Sequence, residues 1–311
     1  MRIHFVAPSK TFLIGEYAVL EGGQGVLVAT EPNFEMTIES PGHGSVEGIS
    51  LDSPAGRWIR SHSEFFRKVR LKFTDPHEGA GGFGASSAQF LFVNLWTQMQ
   101  KQNLASSFES LDIEQVWQDF RKLHENDKGS LPSGGDLISQ WEGGLSSFSA
   151  NPYFVKNLKW NFKNLHFSLF HTGYKIATHQ HLANLETANF GDLVRMSERA
   201  VQSIEQSDEA NFLSLVRSYS LELEYLGLLA LNTQDILTKF KGNNSILASK
   251  GCGALGADVI AVYHRPEERV AIRSFAENMG LRFIAGVEEV QKGLKISIDT
   301  EDSSQGVPVD L

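Results

Sequence analysis

The sequence predicts a protein of mixed strands and helices in two domains, and three observations lead there. The chain has 311 residues, which by length suggests two domains or one large one. Hydrophobic residues make up 41% and charged residues 21%, so a sizeable core is available. A strand-rich part, interrupted by helices, ends near Gly173. From about Thr178 the pattern turns mostly helical, which puts the boundary between those two residues.

In order, Ile3–Ala7 reads as a strand, and Lys10–Leu20 as a strand, a turn and more apolar chain. Gly25–Thr30 and Phe34–Ser40 continue the β character. Ser40–Gly56 is loop-rich, with turn signals at Pro41, Gly42, Gly44, Pro54 and Gly56. Arg70–Asp75 is a short strand that leads into "EGAGGFGASSAQF", Glu78–Phe90. Ser86–Asn103 has apolar residues at helical spacing, and Ser86 or Ser87 suits its N-cap. Leu111–Asn126 is a second helix, with Ile113, Val116, Trp117, Phe120 and Leu123 on one face. "KGSLPSGGD" breaks the chain before a helix at Leu137–Gly144, and Phe148–Gly173 holds two or three strands. Phe212, Leu215, Val216, Tyr219, Leu223 and Leu226 form a long helical stripe. Asn243–His264 carries a third glycine loop feeding the strand Val259–His264. A helix over Pro266–Gly280, with proline near its start, and strands at Leu281–Val287 and Leu294–Asp299 follow.

Composition narrows the function. A net charge of −9 leaves no basic footprint for nucleic acid, although a local basic patch for an anionic small molecule remains compatible. Cys252 is the only cysteine, so no intramolecular disulfide forms and a reducing compartment is expected. "MRIHFVAPSK" lacks the apolar run of a secretory signal, and no stretch reaches the roughly 20 apolar residues of a membrane span. The expectation is a cytoplasmic protein of small-molecule metabolism, with no nucleic-acid or membrane partner.

Gly79, Gly81 and Gly84 spell G-x-G-x-x-G. A dinucleotide fingerprint, however, follows the first strand of a βαβ unit and has an acid about 20 residues on. Here the loop follows several strands, and "QKQNLASS" after its helix holds neither a strand nor an acid. The Walker pattern G-x-x-x-x-G-K-[ST] is absent from the chain. What remains is physical. Glycines let a backbone approach an anion, and the following helix presents free N–H groups and its positive end. Serine hydroxyls there can meet phosphate or Mg²⁺. A capped helix after a surface loop is the plain alternative for one such loop. Two other segments repeat the chemistry: "APSKTFLIGEYAVLEGG", with Lys10 and Glu16, and "SKGCGALGAD". Between them lies "HENDKGSLPSGGDLISQWEGG", with Glu125 and Asp136.

Together these segments resemble the signature motifs of the GHMP kinases, the family of galactokinase, homoserine kinase, mevalonate kinase and phosphomevalonate kinase. Ala7-Pro8-Ser9-Lys10 and Gly15-Glu16-Tyr17-Ala18-Val19-Leu20 resemble A-P-G-K…G-E-[HY]-A-V-[LV]. Gly82-Phe83-Gly84-Ala85-Ser86-Ser87 resembles G-L-G-S-S-A, and Pro132-Ser133-Gly134-Gly135-Asp136 resembles P-S-G-x-D. Lys250 to Asp258 resembles K-x-[ST]-G-A-G-G-G-[GD]. The matches run in the family's order across nearly the whole chain. The resemblance implies an α+β, two-domain GHMP kinase fold. A ribosomal-protein-S5-like, ATP-binding domain would span 1–175 and a ferredoxin-like domain 176–311.

It also implies an assignment of residues. ATP would lay its phosphates over Gly82, Gly84, Ala85, Ser86 and Ser87. Asp136 matches the family's catalytic aspartate, and Lys10 the lysine that neighbours it and stabilises developing charge. Ser86 would bind Mg²⁺ or phosphate. Glu125, eleven residues before Asp136, stands at the interval of the Mg²⁺-binding glutamate of mevalonate kinases. Glu16, Tyr17, Ser133, Gly134, Gly253 and Ala254 would shape the substrate site, and Thr178 closes a segment, His171–Thr178, that would touch the acceptor. The plain readings beside these are a turn aspartate, a surface lysine, capping serines and a solvated helix end.

The acceptor is expected to be a small molecule, and the protein a monomer or homodimer. Tyr17 and Asp258 resemble phosphomevalonate kinases; Pro132-Ser133-Gly134 and Glu125 resemble mevalonate kinases. The balance leans to 5-phosphomevalonate, with mevalonate the alternative. Lys128, Lys175, Arg57 and Arg60 are candidate cations for a second anionic group. The departures are Ser9 for a motif glycine, Ala85 for a serine, and Leu255 and Ala257 for two glycines. A left-handed backbone would be costly at Leu255. A decarboxylase of the same fold lacks the P-S-G-x-D form. A non-catalytic metabolite binder would be expected to lose Lys10 or the aspartate, and both are present.

Overall fold

The computed structural model describes residues 1–102, 111–125, 127, 131–174, 189–299 and 309–310. The first element, β1 (Arg2–Ile14), is one continuous strand where the sequence suggested two short ones. Pro8 interrupts the polar pattern but not the strand. The register shifts between Pro8 and Ser9, and such an irregularity tolerates a residue with no N–H to give. Ile3, Phe5 and Ala7 point inward in alternation, and beyond Ala7 both faces of the strand are covered.

β1 pairs antiparallel with β2 (Gly25–Glu39), and this long pair is the middle of an eight-stranded sheet. One end of β2 pairs antiparallel with β4 (Arg70–Thr74), with β3 (Ser45–Glu47) parallel to β4 at the edge. The other end of β2 pairs with β5 (Leu145–Ala150), which pairs with β6 (Tyr153–Leu158). β11 (Lys295–Asp299) returns from the far end of the chain to β1, and β12 (Val309–Asp310) pairs with it.

Four helices accompany this sheet among the described residues: α1 (Pro54–Ser61), α2 (Ala85–Gln102), α3 (Ile113–Leu123) and α4 (Gly135–Glu142). α2 is buried nearly all round, because the sheet lies on one side and α1 and α3 on the other. Phe92 stacks on Phe5, Phe90 meets Trp58 and Phe120 edge-on, and Trp96 is fully buried. Each such side chain contributes about 1.5–3 kcal/mol by leaving water. The polar exceptions are satisfied: Asn94 donates to Asp119 at 2.9 Å, and Thr97 accepts from Trp58 at 3.0 Å.

The second sheet has four antiparallel strands in the order β10 (Arg282–Gly286), β7 (His166–His171), β9 (Val259–His264), β8 (Ile246–Cys252). α5 (Gly191–Gln206), α6 (Glu209–Tyr225) and α7 (Leu231–Lys241) separate β7 from β8, and α8 (Arg269–Asn278) separates β9 from β10. This is the β-α-β-β-α-β order of a ferredoxin-like sandwich, with extra helices in the first crossover. Phe170, Leu237, Phe240, Ile260, Val262 and Ile272 form its own core. The α+β class and both sheet types match the expectation. β7 lies before residue 175 in sequence and pairs within the second sheet, while β11 pairs with β1 in the first. No helix among the described residues is long and apolar enough to cross a membrane.

Candidate active site

Two charged side chains meet where β1 crosses the start of α4. Lys10 Nζ lies 2.9 Å from Asp136 Oδ1, with side-chain exposures of 8% and 29%. Asp136 sits in the first turn of α4, where unpaired N–H groups and the helix dipole favour a negative charge. The turn before it is built tightly. Gly134 has φ +77°, and a Cβ there would lie 2.5 Å from Trp117 Cδ1. Trp117 Nε1 donates to Ser133 O at 2.8 Å, and Ser133 Oγ accepts the Gly135 N–H at 3.3 Å. Arg121, one turn further along α3, lays its guanidinium 5.0 Å from the Trp117 ring and donates to Pro132 O at 3.2 Å. Burial there pulls Arg121 below its ordinary value.

The second glycine loop arrives at the same place. Lys10 N–H donates to Phe83 O at 3.0 Å. Gly84 has φ +89°, and its carbonyl accepts from Ala88 N–H at 2.9 Å and from Gln140 Nε2 at 3.1 Å. A Cβ on Gly84 would be 3.1 Å from Lys10 Cγ and 3.0 Å from Gln140 Nε2. α2 therefore begins at Ala85, with Gly84 in the capping position. This corrects the expectation that Ser86 or Ser87 caps the helix. Both lie inside its first turn, Ser86 exposed and Ser87 buried. The reason is the carbonyl of Gly84, which already accepts the first helical bond.

α3 runs antiparallel to α2. Gln98 accepts from the Asp112 N–H, Asn94 meets Asp119, and Phe90 meets Phe120. The C-terminal end of α3, followed by Glu125, therefore lies at the end of α2 that carries Ser86. Both side chains are exposed. A hydroxyl and a carboxylate are hard oxygen donors of the kind Mg²⁺ takes, alongside water and phosphate oxygens. Among the described residues no group of three or more His, Cys, Asp or Glu forms a protein-only cage. By donor type, Ser86 and Glu125 fit Mg²⁺.

Glu16 and Tyr17 go elsewhere. Glu16 Oε1 lies 2.5 Å from Lys250 Nζ, and their side chains are 4% and 0% exposed. Lys250 also donates to Gly251 O at 2.6 Å. The Tyr17 hydroxyl accepts the Leu255 N–H at 2.9 Å. Burial, helped by neighbouring Glu16, pushes the Tyr17 phenol well above its ordinary range, against the opposing pull of the Leu255 N–H. Both side chains are sealed from the Lys10–Asp136 cleft, so whatever they do for a substrate runs through the third loop they hold. In that loop Gly253 has φ +83° and Ala254 opens the short turn Ala254–Gly256. Leu255 has φ +52°, the left-handed backbone foreseen as costly. The third segment also reaches the second: a Cβ on Gly82, itself at φ +90°, would lie 2.7 Å from Asp258 Cβ.

Two of the candidate cations have partners of their own. Arg57 pairs with Asp127 at 2.9 Å and donates to Leu123 O. Arg60 donates to Leu51 O at 2.6 Å and faces Asp52 at 3.8 Å. Lys128, Lys175 and Thr178 lie outside the described residues. Sequence reasoning missed Trp117, Arg121, Gln140 and His77. The i, i+4 spacing of Trp117 and Arg121 was legible, but its tie to the loop before Asp136 was not.

No protein-family model matches the sequence, and no curated protein sequence matches it. The architecture nonetheless has a clear class: it is the fold of the GHMP kinases. The structure is similar to that of a Lin0012 protein from Listeria innocua, with 17% identity, coverage of 97% of this chain and 100% of that one, and a TM-score of 0.75. It is also similar to Lactococcus lactis galactokinase complexed with galactose, at 12% identity, 94% coverage of both chains and a TM-score of 0.73. For Streptococcus pneumoniae phosphomevalonate kinase in complex with phosphomevalonate and AMPPNP, the identity is 16%, the coverage 91% of this chain and 98% of that one, and the TM-score 0.70. At these identities the likeness is one of fold.

Proposed function

We propose that this chain is an ATP- and Mg²⁺-dependent phosphotransferase acting on a small-molecule acceptor, with 5-phosphomevalonate as that acceptor. One observation carries the reading: Lys10, Asp136 and the glycine start of α2 converge, with Lys10 bonded to the loop through its backbone and to Asp136 through its ammonium. That combination supplies what phosphoryl transfer needs, namely a cradle for anionic oxygens, a cation for developing charge and a carboxylate at the attacking oxygen.

In this reading the first N–H groups of α2, at Ala85, Ser86 and Ser87, meet the nucleotide phosphates. Asp136 orients the attacking oxygen and takes its proton where it carries one, while Lys10 stabilises negative charge on the oxygens between donor and acceptor. Ser86 and Glu125 would hold Mg²⁺, which would supply charge neutralisation for the phosphates. Ser133 and Gly134, locked by Trp117, line the approach to Asp136. Arg121 supports an anionic acceptor, because from α3 it brings a partly buried cation against the loop that presents Asp136. The shared fold with a kinase solved with phosphomevalonate and an ATP analogue supports the phosphotransferase reading. Mevalonate is the second reading, favoured by Glu125 at the end of α3 beside the start of α2.

The test is an acceptor screen: protein, ATP and Mg²⁺ with mevalonate or with 5-phosphomevalonate, following ADP. Turnover with 5-phosphomevalonate is expected. Turnover with mevalonate alone selects the second reading. Tight binding of either compound without turnover would sink both kinase readings and leave a metabolite-binding protein.

A further inference from the structure

The glycine loop has a soft backbone, with Gly82 and Gly84 both in left-handed conformations and only Phe83 between them. Something must set where that loop sits. Phe83 is buried, and its ring lies 3.9 Å from the His77 ring at an interplanar angle of 14°, a stacked pair. His77 is itself 3% exposed and is fixed at its other edge. The Ser9 hydroxyl donates to Pro32 O at 2.6 Å, so the hydroxyl proton is committed, and its lone pair accepts from His77 Nε2–H at 2.6 Å. That bond selects the tautomer and the ring plane. Asp75 stiffens the turn below by accepting the N–H groups of His77 and Gly79 at 2.8 and 2.9 Å. His171 forms the second wall of the Phe83 site, with its ring 5.5 Å away.

Ser9 stands where the motif that this segment resembles carries glycine, and a glycine could not hold His77. Lys10, the next residue, bonds Phe83 O through its N–H. The glycine loop is thus seated on β1 twice, once through backbone and once through Ser9–His77–Phe83.

We propose that His77, held by Ser9, is a positioning residue that fixes the glycine loop against β1 and so pre-forms the anion cradle at the start of α2. It touches no reacting atom and acts through Phe83. The consequence for nucleotide binding rests on the phosphotransferase reading; the seating of the loop does not. Burial pulls the His77 imidazole down to about 4, outweighing the opposing effect of Asp75, so the ring is neutral at physiological pH and its single Nε2 proton is the one Ser9 accepts.

The experiment compares wild type with His77→Ala, His77→Phe, His77→Gln and Ser9→Gly. Amide hydrogen exchange over residues 79–84 is read first, with α6 as internal reference. His77→Ala should speed loop exchange by about tenfold or more with α6 unchanged. His77→Phe, which keeps the stack, and His77→Gln, which keeps a donor for Ser9, should each restore part of the protection. Ser9→Gly should add nothing to His77→Phe. AMPPNP affinity and steady-state rates are read second. KM for ATP should rise about tenfold in His77→Ala while kcat stays within about threefold, a split that general destabilisation would not produce. Unchanged loop exchange in His77→Ala overturns the proposal, as does a full additional loss from Ser9→Gly in the His77→Phe background. If the loop responds but wild type binds no AMPPNP, the phosphotransferase reading fails and the anchor stands. Should His77→Ala fail to fold, His77→Phe and His77→Gln carry the same comparison.

Discussion

β1 and the turn that follows it send two charged side chains, Lys10 and Glu16, into ion pairs of opposite character. Lys10–Asp136 is open on the carboxylate side, lies at a helix start and borders the left-handed Gly82 and Gly84 of the second loop. Glu16–Lys250 is sealed, joins chain segments 234 residues apart and borders a loop in which Leu255, as well as Gly253 and Gly256, takes a left-handed backbone. The same two functional groups are present in both. An exposed carboxylate oxygen can exchange its partner for a substrate, whereas a buried pair is closed to solvent. Its desolvation is offset only while both members stay. The contrast separates a pair suited to chemistry from one that holds the first and third motifs together.

The largest expected effect tests the open pair. Asp136→Asn should lower turnover by about 10²–10⁴-fold, the range for removing a general base, and lower the urea midpoint by less than loss of the sealed pair does, because asparagine keeps an oxygen for Lys10. If turnover survives, Asp136 is not at the reacting oxygen and the contrast collapses.

The sealed pair should respond in the other currency. Glu16→Gln or Lys250→Met should destabilise by about 3–5 kcal/mol in urea unfolding, because one buried charge is left without its partner. The double variant Glu16→Leu/Lys250→Met should recover most of that loss. A double variant as unstable as the singles would show that the pair does more than pay for its own burial.

The loops give smaller tests. Gly84→Ala forces a Cβ against Lys10 and Gln140 in a left-handed backbone, a strain of order 1–3 kcal/mol. It should weaken AMPPNP binding by about tenfold and lower turnover as Lys10 shifts. Leu255→Gly should do the reverse at the other loop, relieving about 1 kcal/mol of backbone strain, seen as a small rise in the urea midpoint with turnover nearly unchanged. A large activity change there would mean that the third loop's strained turn serves the reaction directly.

Much of this was legible in the sequence, for identifiable reasons. The apolar face Val116, Trp117 and Phe120 and the alternation in β1 follow from side-chain periodicity, which is local. Gly84 and Gly134 could be read as special because only glycine takes their backbone angles cheaply. The start of α2 differs from the expected one because capping is normally a side-chain signal, and the capping position here is Gly84, which has no side chain to signal it. β1 was read as two strands because Pro8 looks like a break, and only the register shift opposite β2 shows how it is absorbed.

By itself the sequence determined the local chemistry: a lysine after a strand turn, a carboxylate in a glycine-rich helix start, and a glycine loop that can approach an anion. Only the tertiary structure decided which partners these groups meet. It gave Lys10 to Asp136 and Glu16 to Lys250, paired Arg57 with Asp127 and Arg60 with Asp52, and set His77 under Phe83. Pairing and burial depend on through-space distances set when two sheets and their helices pack together. No single window of the chain contains those distances.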